Sequence, residues 1–295
     1  MRIIHSLDEM TETARGWLAG GPVGFVPTSG CLHAGHLALV QAARRECEIT
    51  VVSIFARRDD TGTELPRPGL VRDLTRDIQL LDSAQVDVVF VPRPAEIYPP
   101  TFATYVMASG PIVEHLEGAF YSDHARYVTT IFTKLLQLIR PDIAYFGQKN
   151  AQQVALVRRL IHDLCIDTSL HVLPTVREGD GLAVSYANSS LSTNERQAAC
   201  LLYRALLIAR NLIEQGEHQV AFLEQTMANV ITSSPLLHLE YTAICDPSSF
   251  DPLTSLPDLT PSLSSSGFLL AVAARIGSTH LTDNIQFTSN GYWLV

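Results

Sequence analysis

Two histidines separated by one small residue and one glycine form the most informative motif of the chain. His33 and His36 directly follow a predicted strand and directly precede a predicted helix. Gly35 lets the backbone approach a ligand closely, and a helix N-terminus offers unpaired N–H groups and a positive dipole to an anion. Two imidazoles at this place can donate hydrogen bonds to phosphate oxygens while charge moves during transfer at phosphorus. The motif therefore predicts a phosphate site, and its position after a strand disfavours two loop histidines without a role.

Apolar runs and helical patterns alternate through the part of the chain that carries this motif. The predicted strands are continuous apolar runs, which is typical of a parallel sheet covered by helices on both faces. Ligands of such sheets bind beyond the carboxyl ends of the strands, where the two histidines lie. We therefore predict an α/β fold. Strands are predicted over 23–27, 49–55, 86–91 and 143–146, and helices over 37–46, 70–84, 127–138 and 151–164.

The pattern changes in the last third of the chain. Residues 192–195 read Ser-Thr-Asn-Glu, which matches a capping box and predicts a long helix that ends near Leu212. We expect two domains, 1–187 and 188–295, of which the second is a smaller α+β domain. Within the second domain, a further helix is predicted over 217–231, strands over 237–245, 268–275 and 278–287, and a loop over 255–267.

The composition excludes several classes of protein. The 295 residues include 21 Lys+Arg against 30 Asp+Glu, a formal net charge of −9, so we expect no nucleic-acid partner. No apolar run approaches the length of a membrane span, and the N-terminus does not resemble a secretory signal. Five scattered cysteines without a C-x-x-C pair argue against a disulfide framework and a zinc knuckle, so we expect a cytoplasmic protein.

Several blocks of the chain resemble, in the same order, those of the pantothenate synthetases (pantoate–β-alanine ligases), a family of the H-x-G-H nucleotidyltransferase-like superfamily. The resemblance covers nearly the whole chain. It implies a Rossmann-like parallel sheet in a nucleotide-binding and catalytic domain, followed by the smaller α+β domain as a lid. The blocks are VGFVPTSGCLHAGHLALVQAARRE, VDVVFVPRPAEIYP, TKLLQLIRPDIAYFGQKNAQQ, PTVREGDGLAVS, LEYTAICDP and AARIGSTHLTDNI.

The resemblance implies a two-step ligase that uses ATP and Mg²⁺, with metal ligands in the chain left unassigned. A small carboxylic acid attacks the α-phosphorus of ATP to give an acyl-adenylate and pyrophosphate, and an amine then displaces AMP to give an amide. The resemblance also implies a homodimer formed through the N-terminal domains. The implied catalytic residues are His33, His36 and Lys149, the implied ATP contacts are Pro27, Thr28, Gly35, His36, Gly147, Lys149, Asn150, Val176 and Ser185, and the implied acid pocket comprises Ser29, Cys31, Asp60, His124 and Gln153.

The acid pocket departs from the family pattern. Asp60 stands where the family has a glutamine, so an amide that donates and accepts is replaced by a carboxylate that only accepts when ionised. If buried, this carboxylate needs a partner, such as a substrate ammonium or the neighbouring Arg57 and Arg58; the alternative is a place on a surface loop. We therefore expect an acid other than pantoate, in specialised biosynthesis. Further departures are Ser29, Cys31, Ala125 and Tyr127 near the pocket, and His280 in place of an arginine near the C-terminus.

The phosphate-binding segments also depart from the family pattern. Ala187 stands for an arginine, Tyr186 for a serine and Asn150 for an aspartate, and we expect these changes to weaken phosphate binding, above all through the lost arginine. Two alternatives to the ATP-dependent ligase therefore stay open. One is another reaction in the same fold, either nucleotidyl transfer or acyl transfer without ATP through Cys31, which stands near His33 in sequence. The other is a non-catalytic protein that binds a small molecule.

Overall fold

The computed structural model describes residues 1–17, 20–55, 73–120, 122–257, 259 and 267–295. The chain divides into two compact units, and each unit combines segments that are distant in sequence. The prediction of two domains that are each continuous in sequence, with a boundary at residue 187, is a different division of the chain from these compact units and stays a prediction. The first unit comprises Met1–Ala108, Asp123–Gly147 and Leu156–Leu173, and the second comprises Ser109–Ser122, Gln148–Ala155 and Pro174–Val295.

Strands and helices alternate in the first unit and segregate in the second. Within the described ranges, no helix is both long and apolar enough to cross a membrane. The strands are β1 (Arg2–Ile4), β2 (Val23–Thr28), β3 (Ile49–Ile54), β4 (Val88–Phe90), β5 (Ile143–Gly147), β6 (Ser169–Leu173), β7 (His238–Cys245), β8 (Phe268–Ile276), β9 (Thr279–Phe287) and β10 (Trp293–Leu294). The helices are α1 (Leu7–Gly16), α2 (Ala34–Glu46), α3 (Leu74–Ser83), α4 (Pro94–Ile97), α5 (Pro111–Glu114), α6 (Glu117–Phe120), α7 (Ser122–Ile139), α8 (Ala151–Asp163), α9 (Thr193–Glu214) and α10 (Val220–Thr232), with 3₁₀ turns at Gln148–Asn150 and Tyr186–Ser190.

A parallel six-stranded sheet organises the first unit, in the order β1-β4-β3-β2-β5-β6. The predicted α/β class is therefore confirmed. β2 lies between β3 and β5, with Phe25 opposite both Val51 and Ala144. These three side chains are fully buried, as expected for strands covered on both faces. Because β2 and β5 are parallel neighbours, their carboxyl ends lie side by side at the edge of the sheet where ligands are expected.

The first unit differs from the prediction at short strands and at helix starts. β1 has only three residues and β6 mixes polar with apolar ones, so neither carries the apolar run that predicted the other strands. α2 begins at Ala34 rather than at residue 37, because His33 caps it. α3 follows its N-cap Asp73, whose side chain accepts a hydrogen bond from the Arg76 N–H at 2.9 Å, and residues 70–72 of the predicted helix lie outside the described residues.

An antiparallel sheet, β10-β9-β8-β7, packs with α9 and α10 in the second unit. The smaller α+β arrangement and the predicted capping box are both confirmed. Ser192 Oγ accepts from the Glu195 N–H at 3.4 Å, and Glu195 Oε2 accepts from the Ser192 N–H at 2.8 Å. β8 and β9 form a hairpin whose two-residue turn places Gly277 at φ +54°, in the left-handed region that such turns require. This hairpin fixes the register of β9, which carries Asp283 and Asn284.

Candidate active site

The two histidines of the motif cap α2 in place of the usual serine and glutamate. His33 is the N-cap residue, and its Nδ1 accepts a hydrogen bond from the Gly35 N–H at 3.2 Å. His36 Nδ1 accepts from the His33 N–H at 3.4 Å, which completes a reciprocal capping box. A Cβ on residue 35 would lie 3.0 Å from His33 Cε1 and 3.1 Å from its Nδ1, so a larger residue here would crowd the His33 ring in its present position.

The capping bonds decide where a neutral imidazole carries its proton. The two rings lie 4.0 Å apart between centroids and are inclined by 30°. Since each Nδ1 accepts from a backbone N–H, the neutral form of either ring is protonated at Nε2. Burial, and then the charge of His33, lowers the pKa of His36 to about 3. His36 is therefore neutral near pH 7 and offers an Nε2–H donor, as a phosphate site requires.

A buried carboxylate holds the loop that leads to these histidines. Asp77 on α3 is 2% exposed; its Oδ2 accepts from the Cys31 N–H at 2.7 Å and its Oδ1 from the Leu32 N–H at 2.8 Å. The loop needs this support because Gly30 and Cys31 have φ values of +82° and +54°. Left-handed backbone is unfavourable for a residue with a side chain, and the two bonds to Asp77 stabilise it.

The first unit also carries the other predicted site residues that precede Lys149, apart from Asp60. Thr28 ends β2, and its hydroxyl donates to the Ser53 carbonyl at 2.8 Å, so this side chain ties β2 to β3. Gly147 ends the neighbouring β5. The predicted residues of this unit are Pro27, Thr28, Ser29, Cys31, His33, Gly35, His36, His124 and Gly147, whereas Asp60, with Arg57 and Arg58, lies outside the described residues.

Lys149 belongs to the second unit, in the 3₁₀ turn after β5. Burial has the largest effect on the pKa of the Lys149 ammonium and lowers it. The negative charges of Asp283 and Glu117 raise this pKa, and the positive charge of Arg177 lowers it. The backbone of the turn is held by Asn284, whose Nδ2 donates to the carbonyls of Gln148 and Lys149 at 3.1 Å each. The second unit also carries Asn150, Gln153, Val176 and Ser185.

An ion pair holds the segment that carries Val176. Val176 and Val184 flank a narrow hairpin, closed by the bond from the Val184 N–H to the Val176 carbonyl at 2.9 Å. Arg177 donates to both carboxylate oxygens of Asp283, at 2.7 and 3.0 Å, and its guanidinium lies 3.6 Å from the Tyr203 ring centroid. Ser185 follows the hairpin and caps the next turn, where its Oγ accepts from the Ala187 N–H at 3.2 Å.

His280, one of the predicted departures, lies between two carboxylates of the second unit. Its Nε2 is 2.9 Å from Glu117 Oε2, and its Nδ1 is 2.6 Å from Glu240 Oε2. Burial lowers the pKa of His280, but the hydrogen bonds and charges of these two glutamates outweigh burial and raise it. Tyr241 also donates to Glu117, at 2.9 Å. A protonated His280 thus retains the positive charge of the arginine that it replaces.

Comparison with known proteins identifies the family. The model of the pantoate-beta-alanine ligase family matches residues 2–286. The chain belongs to this family. It is 44% identical to the pantothenate synthetase of Heliobacterium modesticaldum over 97% of this chain and 99% of that protein, and 40% identical, with the same coverages, to that of Thermosipho africanus.

Solved structures agree with the assignment to pantoate-beta-alanine ligases. The pantothenate synthetase of Thermus thermophilus has a TM-score of 0.86 and 39% identity, over 96% of this chain and 98% of that one. The pantoate-beta-alanine ligase of Francisella tularensis, in complex with beta-gamma ATP and beta-alanine, has a TM-score of 0.73 and 27% identity over 98% of each chain. This chain is thus an AMP-forming carbon–nitrogen ligase that forms an amide at the expense of ATP.

Several supporting residues of this pantoate-beta-alanine ligase were not predicted from the sequence. Asp77 has a signal, because it lies one turn before the buried Leu81 on the apolar face of α3, where an unpaired carboxylate would be unfavourable. Asp283 and Asn284 lie in the family block AARIGSTHLTDNI, but no neighbouring residue in the sequence indicates which groups they bond to. Glu117 and Arg177 likewise act through residues that are distant in sequence.

Proposed function

We propose that this ligase joins pantoate to β-alanine through a pantoyl-adenylate. A carboxylate oxygen of pantoate bonds to the α-phosphorus of ATP while the bond from that phosphorus to pyrophosphate breaks. The amino nitrogen of β-alanine then bonds to the acyl carbon, the bond to AMP breaks, and the nitrogen loses a proton. Relatives named pantothenate synthetase, 44% and 39% identical over 97% of this chain, support the choice of substrates. The β-alanine bound to the Francisella tularensis ligase supports it further.

Pantoate replaces the different acid that the sequence departures led us to expect. That expectation rested mainly on Asp60, which lies outside the described residues, so no contact of its carboxylate supports another acid. Ser29 and Cys31 remain in the loop before His33, where the backbone is held by Asp77. The names of the relatives favour pantoate, and the expectation of another acid is therefore withdrawn.

The paired Nε2–H donors of His33 and His36 carry the proposal. Their protons are placed by backbone hydrogen bonds before any ligand binds, so no reorganisation is needed when charge develops on phosphate oxygens. We assign to Lys149, as the sequence predicts, a phosphate contact through its compact positive charge. We assign the ATP contacts and the acid pocket to the residues predicted above. Mg²⁺ would accompany the phosphates of ATP and offset part of their negative charge, and no residue of the chain is assigned to it.

Three further expectations stay predictions. They are the homodimer, the closure of residues 188–295 as a lid, and the cytoplasmic location. Each comes from the sequence and from the family resemblance.

The reaction is tested with the full-length protein, ATP, Mg²⁺, β-alanine and a panel of hydroxy and amino acids that includes pantoate. We expect AMP, pyrophosphate and pantothenate in equal amounts, and the highest kcat/KM with pantoate. A higher kcat/KM with another acid would refute the choice of pantoate. Amide formed without ATP consumption, or ligand binding without any product, would refute the adenylate mechanism.

The two lysines of the chain provide a matched pair of variants. Lys149→Ala should lower the rate of pantoate-dependent AMP formation by on the order of 10²–10³, the usual cost of losing one charge contact to a transition state. Lys134→Ala removes the other lysine, which lies in the first unit 4.5 Å from the Phe102 ring centroid, and should retain the wild-type rate per folded molecule. Equal rates in the two variants would contradict the role of Lys149.

A further inference from the structure

β9 carries two neighbouring buried polar residues, and each is bonded to a different segment with a proposed ATP contact. Asp283 and Asn284 are each 4% exposed. Successive residues of a strand point to opposite faces of its sheet, so these two side chains leave β9 in opposite directions. Asp283 shares its face with Leu281 and Ile285, which belong to the core beneath α9 and α10. Burial of a carboxylate or an amide is unfavourable unless hydrogen bonds within the protein compensate for the lost water.

Asp283 fixes the hairpin that carries Val176. Its two oxygens accept from Arg177, whose guanidinium also donates to the Gly181 carbonyl at 3.2 Å. The ion pair is almost fully buried, with 11% of the Arg177 side chain and 4% of the Asp283 side chain exposed. Planar, two-point bonding of this kind sets the direction of the guanidinium as well as its distance. The hairpin is thereby fixed to β9 at one place.

Asn284 fixes the segment that carries Lys149. Its Nδ2 donates to the carbonyls of Gln148 and Lys149, while its Oδ1 accepts from Gln148 Nε2 at 3.0 Å. The amide therefore binds two successive backbone carbonyls and one side chain of the same turn. Gln286, on the same face of β9, also accepts from Gln148 Nε2, at 3.3 Å. The backbone that bears the Lys149 side chain is thus oriented by β9.

We infer that Asp283 and Asn284 are positioning residues for ATP, each acting on one segment. The inference rests on the proposed function, because it takes Lys149 as a phosphate contact and Val176 as an ATP contact. Asn284 acts on Lys149 and so on the transfer step. Asp283 acts through Arg177 on the Val176 hairpin and so on nucleotide binding. One strand thereby sets the spacing of two ATP-contacting segments that are separated in sequence.

The two roles predict different kinetic effects. Asn284→Ala should lower kcat for pantoate-dependent exchange of labelled pyrophosphate into ATP by on the order of 10²-fold, the cost of a misplaced group. Its reaction of supplied pantoyl-adenylate with β-alanine should stay at the wild-type rate. Asp283→Asn should instead raise the KM for ATP by about tenfold, because Arg177 loses its ionic partner. Asn284→Ser keeps one donor, and its kcat should fall between those of the wild type and Asn284→Ala.

Matched controls separate positioning from general damage. Thr282→Ala removes a polar side chain from the same face of β9 while leaving the bonds of Asn284 in place. Glu178→Gln makes the same carboxylate-to-amide change as Asp283→Asn on the hairpin itself, at a solvent-exposed ion pair with Arg196. Both controls should retain wild-type kcat and KM for ATP.

Two outcomes would overturn the inference. One is wild-type kcat and KM per folded molecule in both test variants, with only the melting temperature lowered. The other is an equal loss in every parameter, including the reaction of supplied pantoyl-adenylate, in both variants. A wild-type protein that forms neither AMP nor pantothenate would instead refute the proposed function, so the two failures are distinguishable.

Discussion

Replacing Asp77 by asparagine tests whether the loop before the histidines must be held in its left-handed conformation. The carboxylate accepts two short hydrogen bonds, from the Cys31 and Leu32 N–H groups. An asparagine has one acceptor oxygen, so its NH₂ group must face one of these N–H donors. The side chain is nearly isosteric, and the change therefore removes one bond without creating a cavity.

The magnitude follows from the kind of bond that is lost. A hydrogen bond to a charged group contributes about 1.5–3 kcal/mol, and the unpaired N–H adds to the loss. Relief of the buried negative charge offsets part of it. We expect the free energy of unfolding to fall by about 2 kcal/mol. The released loop displaces His33, so pantoate-dependent AMP formation should fall by on the order of 10²-fold.

Urea denaturation and single-turnover AMP formation measure the two effects separately. Asp73→Asn is the matched control, because asparagine and aspartate are equally good N-caps and this change leaves the α3 cap intact. It should alter neither stability nor rate. If Asp77→Asn loses stability but keeps the wild-type single-turnover rate, the carboxylate supports the fold alone. That result would refute the coupling between this loop and the histidines.

Three further predictions concern other parts of the chain. The stability contributed by protonated His280 is complete below the ordinary pKa of histidine and is lost as the pH rises through its raised folded-state pKa. An arginine at position 280 stays charged, so the melting temperature of His280→Arg relative to that of the wild type should increase from pH 6 to pH 9. The same difference in melting temperature at every pH would contradict this. Gly35→Ala places a methyl group against the His33 ring, so AMP formation should fall at least about tenfold with little change in urea stability; an unchanged rate would show that the ring can move freely. Ser192→Ala removes the cap of α9 and should lower the free energy of unfolding by about 1 kcal/mol in urea, whereas a change in kcat would be unexpected.

Local sequence patterns predict the parts of this fold that depend on neighbouring residues. The apolar run of β2 and the capping box at Ser192 each act within a few positions, and the structure confirms both elements. The histidine capping box is also local. Its effect on the start of α2 was missed because histidine is not among the usual capping residues.

Contacts between distant residues account for what the sequence did not show. Asp77 bonds to amides 46 and 45 positions away, and Asn284 bonds to carbonyls 136 and 135 positions away. No periodicity in one chain reports such pairs. The substitution at Asp60, in contrast, is visible in the sequence. A substitution alone, however, does not show which acid the pocket accepts.

The interleaved segments of the two compact units determine the order in which the candidate site can be completed during synthesis. The chain passes from one unit to the other at residues 108, 122, 147, 155 and 173. Residues 148 and 149 therefore leave the ribosome long before Asn284, which supplies the donors for their carbonyls. The capping box of His33 and His36 closes within four residues, whereas the Lys149 turn waits for nearly the whole chain. A nascent or truncated chain that ends before β9 can form the histidine pair but lacks the strand that orients Lys149, so ligase activity is the last property that the growing protein acquires.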